Sequence, residues 1–157
     1  MAESGRRRLA IGALFGIAAL GIAGAVVMSQ RLPDGAQEPV WDREPCAHCL
    51  MHVGDPSFAA QMQLRDGRIL HFDDPGCLLE QLPATHREDV HAVWFHHVRE
   101  DRWIRGDEVA FLRTEPTPMG YGLGAVDRGS PGSISLDEAI ATLSNEGRSE
   151  DGHGRAP

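Results

Sequence analysis

The sequence predicts an α+β fold, one small domain behind an apolar N-terminal segment, on three observations. An Asp-Gly turn separates two strand-like runs. Two stretches carry helix caps. The elements then follow in the order strand, strand, helix, strand, then strand, strand, helix, which reads as two similar α+β units.

The chain begins with Arg6, Arg7 and Arg8, which close a short segment, 1–8, read as cytoplasmic. Residues 9–28 form an uncharged apolar run rich in Ala, Gly, Ile and Leu, and about 20 apolar residues are what a helix needs to cross a bilayer. The arginines on one side only place everything after the run outside the cytoplasm. The expectation is a single-pass inner-membrane anchor with its soluble domain in the periplasm. Ala23-Gly24-Ala25 leaves open a cleaved signal peptide and an exported domain.

Residues 29–44, rich in Pro, Gly and charge without periodicity, read as a linker lifting the domain off the membrane. The folded domain is then expected within 45–145, and the polar, glycine-containing 146–157 reads as a disordered tail. Inside the domain, 58–64 and 68–72 flank Arg65-Asp66-Gly67 and predict a hairpin. Asp73 or Asp74 can cap a helix over 75–82, with Pro75 at an early helical position and Pro83 beyond its end. A strand over 90–98 follows, then strands over 109–114 and 121–126, and a capped helix over 135–144 with Asp137 and Glu138 in its first turn.

Beyond position 30 the chain has 12 arginines and 22 acidic residues, a charge of about −10. Such a domain, with no basic stripe, is a poor partner for nucleic acid, where phosphates must be neutralised by clustered cations. No nucleophile elbow, phosphate-binding loop or Ser/His/Asp ordering stands out, and Gly120, Gly122 and Gly124 alternate in a strand-like run, so no catalytic activity is expected.

Chemistry concentrates in Cys46-Ala47-His48-Cys49-Leu50-Met51-His52, which packs two thiols, two imidazoles and a thioether into seven residues. Soft sulfur ligands select Cu(I), while Cys with His can also hold Zn(II). Met119, between Pro118 and Gly120, is a second thioether with little core to fill. Leu50 after Cys49 excludes the Cys-x-x-Cys-His haem attachment. A thioredoxin-like pair would stand at the start of a helix, and Gly54, Asp55 and Pro56 cut any helix short. A disulfide staple between Cys46 and Cys49 and a structural zinc knuckle stay open as alternatives, as does a membrane-tethered thiol-disulfide oxidoreductase. Cys77, among Leu78, Leu79 and Leu82, reads as a small buried hydrophobe. His96 and His97, adjacent on a strand, point to opposite faces.

Cys49-Leu50-Met51, the Asp66-Gly67 hairpin, His71-Phe72-Asp73-Asp74, Trp103-Ile104 and Pro118-Met119-Gly120 together resemble the NosL family over about 45–144. That resemblance implies two ββαβ-like units and a periplasmic copper-binding accessory factor. Its metal would be Cu(I) and its partner nitrous-oxide reductase or the machinery that assembles the reductase's copper-sulfide centre. The family's Cys-x-Met falls on Cys49 and Met51, and its later Met-Gly on Met119 and Gly120. Leu50 stands where the family often has Gly, and an apolar helix replaces the lipidated cysteine of many members. The expected metal site is therefore Cys49 and Met119, completed by Met51, Cys46 or His48.

Overall fold

In a computed structural model of the chain, the structure describes residues 20–22 and 32–151. The chain divides into two units, Met1–Pro33 and Asp34–Pro157. In the first, residues 20–22 are helical; the rest of the expected anchor and the 1–8 segment lie outside the described residues. Among the described residues no helix is long and apolar enough to cross a membrane.

The second unit is a mixed α+β domain with two antiparallel sheets. Strands β1 (Ala60–Leu64) and β2 (Ile69–Phe72) pair in the register Ala60↔Phe72. Their turn follows the sequence: Gly67 takes φ +91, a left-handed conformation that glycine adopts without a Cβ penalty, and Asp66 accepts the Arg68 N–H. Helix α1 (Pro75–Gln81) starts at Asp74, whose carboxylate accepts the Gly76 N–H, with Pro75 in the first turn. Strand β3 (Val90–His96) returns alongside β1 and β4 (Trp103–Arg105) adds to it, giving the order β2-β1-β3-β4. The second sheet holds β5 (Val109–Arg113), β6 (Leu123–Asp127) and the two-residue β7 (Ile134–Ser135), ordered β6-β5-β7. Helix α2 (Leu136–Asp151) follows.

Apart from the short β4 and β7, this is the element order the sequence predicts. The last helix differs at its far end. It runs on to Asp151, through the first residues of the expected disordered tail. Residues 152–157 lie outside the described residues.

The core lies where the two sheets and α1 meet. Phe95 of β3 and Phe111 of β5 pack edge to face, centroids 5.1 Å apart, among the buried Met62, Phe72, Leu78 and Leu123. Strand alternation sends Ala60 and Met62 to the core and Gln61 and Gln63 to the opposite face. That second face is not solvated, because both glutamines are fully buried.

What covers them is the segment expected to be a free linker. Residues 34–44 lie across the outer face of the first sheet as a strap. The Gln61 amide accepts the Gln37 N–H at 3.0 Å and donates to the Gln37 carbonyl at 2.6 Å, pairing with it as a strand would. Gln63 donates to the Gly35 carbonyl, and the Trp103 indole donates to Glu38. Polar side chains on a strand thus offer the strap the partners its backbone needs, which a composition-based linker assignment misses. The strap ends at Glu44. Burial works against the charge of Glu44, but the Val40 N–H and the His71 ring outweigh it and hold the carboxyl below its ordinary value.

Candidate metal centre

The loop after the strap is short and closed. Cys46 donates its N–H to the Met51 carbonyl at 2.7 Å, and Leu50 donates to the Cys46 carbonyl at 3.1 Å, so residues 46–51 turn back on themselves. The Ala47 N–H is held by the His71 carbonyl of β2. His71 therefore fastens both sides of Cys46, through its ring to Glu44 and through its backbone to Ala47.

Making this turn costs Leu50 a left-handed conformation at φ +65, and its side chain is three-quarters exposed. A bulky residue there is strained by about 1–2 kcal/mol, which glycine avoids. This gives a physical reason for the Gly that the resembled family often carries at this position. Leu50→Gly is expected to raise stability by about 0.5–1 kcal/mol, the relieved strain exceeding glycine's extra unfolded-state entropy. Thermal unfolding of the two proteins checks it, and a lowered midpoint would mean that the leucine packs against something.

Helix α1 brings a third sulfur to this loop. The Sγ atoms of Cys46, Cys49 and Cys77 all lie within 4.8 Å of one another. None of the three is in a disulfide, with Cys46 and Cys77 fully buried and Cys49 half-buried. An ion about 2.3 Å from each of three sulfurs holds them about 4 Å apart, so a small contraction closes the trio around a metal. The trio is thus a three-thiol group suited to a soft metal ion.

Its electrostatics are uneven. The Cys46 sulfur accepts from the Cys77 thiol and, against the cost of burial, from the backbone N–H groups of Cys49, Asp73 and His48. These donors hold Cys46 well below the ordinary thiol range, as a thiolate. Burial raises Cys49, opposed by the Met51 N–H but reinforced by the Cys46 thiolate. The Cys77 thiol is pushed far up by donating to Cys46, by burial and by the charge of Cys46.

The expected site residues divide accordingly. Cys46 and Cys49 are brought together, and Cys77, read from the sequence as packing, joins them. His48 is turned aside: its Nε2 lies 3.0 Å from Glu80 of α1, the carboxylate that also accepts the Tyr121 hydroxyl at 2.8 Å. Met51 gives its N–H to Cys49 and leaves its side chain exposed on the loop. The Met119 N–H donates to the second oxygen of Asp74 at 3.0 Å, three residues before Cys77, and its side chain is 39% exposed. The signal that could have singled out Cys77 is its place just behind the Asp74 cap, in the same buried turn.

Fold and site together define an α+β domain with a partly open cluster of three cysteines that could hold a metal ion. No protein-family model matches the chain, and no curated protein matches it. Among solved structures it is similar to the crystal structure of the copper chaperone NosL from Shewanella denitrificans. That similarity has 15% identity and a TM-score of 0.47, and covers 73% of this chain and 89% of that one.

Proposed function

We propose that this protein is a membrane-anchored periplasmic metallochaperone that carries Cu(I) on its cysteine trio and delivers it for assembly of the copper-sulfide centre of nitrous-oxide reductase. The observation that carries the reading is the meeting of three thiols from two separate segments within 4.8 Å. A thiolate with further thiols suits Cu(I) over harder ions. Tetrahedral Zn(II) would want a fourth thiol or imidazole, and the His48 ring is engaged by Glu80.

Delivery needs an open side. Leu50, Met51 and Met119 belong to the few large apolar side chains exposed in this unit, and all three belong to the segments around the trio. Such a rim fits a partner that meets the metal directly, and the acidic charge of the domain fits a basic face on that partner. A thiol-disulfide oxidoreductase is disfavoured, because the Cys46–Cys49 segment is a closed turn and no helix begins at it. Metal analysis of the full-length chain, isolated anaerobically under reducing conditions, is the test. Copper near one per chain is expected; bound zinc or a metal-free protein that refuses Cu(I) would contradict the reading.

A further inference from the structure

Asp74 is a fully buried carboxylate, and its two oxygens serve two different parts of the centre. Oδ1 accepts the Gly76 N–H at 2.8 Å and so caps the helix that presents Cys77. Oδ2 accepts the Met119 N–H at 3.0 Å across 45 positions of sequence. The preceding residue, Asp73, gives its own N–H to the Cys46 sulfur. Two consecutive residues thus tie together Cys46, the helix of Cys77 and the loop of Met119.

The rest of that loop is built to stay where Asp74 holds it. Thr117 closes it from inside, its carbonyl accepting the Gly120 N–H and its hydroxyl the Gly122 N–H. The Tyr121 ring lies directly over Gly76, so closely that a Cβ on Gly76 would collide with the ring carbons. The Tyr121 hydroxyl reaches Glu80 on the same helix. Within this frame Met119 is exposed, along with Pro116 and Pro118 on either side of Thr117.

From this we infer that Asp74 is a specificity-determining positioning residue: by latching the Met119 backbone to the helix of Cys77, it sets the thioether beside the thiol trio and so favours Cu(I) over Zn(II). The inference rests on the proposed Cu(I) site. Thiolates alone serve both ions, whereas a thioether contributes to Cu(I) and little to Zn(II). An anchor for Met119 therefore acts on one metal and not on the other.

The two oxygens can be separated by mutation. Asn caps a helix as well as Asp does. In Asp74→Asn one oxygen still accepts the Gly76 N–H, while an amide NH2 replaces the oxygen facing the Met119 N–H and releases the latch. Asp74→Ser does the same without placing a donor there, since Ser also caps well, and it serves should the Asn variant fold poorly.

The experiment measures Cu(I) and Zn(II) affinities of the full-length chain by chelator competition, for both Asp74 variants in the parent and in the Met119→Leu background. The Cu(I) affinity is expected to fall about 10- to 100-fold in the parent, the range found when support around a metal ligand is lost. In the Met119→Leu background it should not fall further, and Zn(II) affinity should hold throughout. Equal losses in both backgrounds, or equal losses for both metals, would overturn the inference and leave the Cu(I) site standing. Met119→Leu without effect on Cu(I) would overturn Met119 as a ligand, and the inference with it.

Discussion

Replacing Cys77 with Ser is expected to lower Cu(I) affinity by more than about 100-fold, beyond the loss that changes around a ligand produce. Ser is nearly isosteric, and its hydroxyl can still donate to the Cys46 thiolate as the Cys77 thiol does. The fold should therefore lose no more than about 1–2 kcal/mol. What disappears is the third soft donor. The two readings of Cys77 then predict opposite patterns: a mere packing residue would cost stability and leave metal affinity unmoved. Cys46→Ser should be worse on both counts, because the Cys46 sulfur also receives three backbone N–H groups. Chelator competition for affinity and denaturant unfolding of the apo protein for stability separate these outcomes.

The second large effect is a dependence of metal affinity on pH. Cys49 and Cys77 are both held above the ordinary thiol value, so near neutral pH each carries a proton that the metal must displace. Cys46 is held below that value and has no proton to give. The sign follows: protons compete at two of the three sulfurs, so affinity falls as pH falls and rises as pH rises. With two protons released per ion the change is about 100-fold per pH unit while both thiols remain protonated in the apo protein. Proton release on stoichiometric Cu(I) addition in weak buffer counts them directly. Two protons are expected; one would mean that only one of the two thiols binds, and none would remove thiols from the account.

Where neighbouring residues decide the structure, the sequence was legible. Asp66-Gly67 enforces the β1–β2 hairpin, and Asp74-Pro75 starts α1, each through a local backbone requirement. Strand β4 escaped notice because three residues between turns carry too little periodicity, and its strand character comes from pairing with β3. The strap escaped because its order comes from Gln61 and Gln63, partners more than 20 residues away. The site divides in the same manner. Cys46 and Cys49 announce themselves by spacing, whereas Cys77 lies 31 positions from Cys46 and reaches it only when α1 packs beside the loop. His48 stands between the cysteines in sequence, and only the fold shows that its ring meets Glu80.

The central claim is that Cys46, Cys49 and Cys77 hold one Cu(I) between them, and X-ray absorption at the copper edge of the Cu(I)-loaded, full-length chain tests it most directly. The account predicts a shell of sulfur alone at about 2.3 Å, with at least three neighbours, reduced by one in Cys77→Ser. A shell containing nitrogen, or one that Cys77→Ser leaves unchanged, would contradict it.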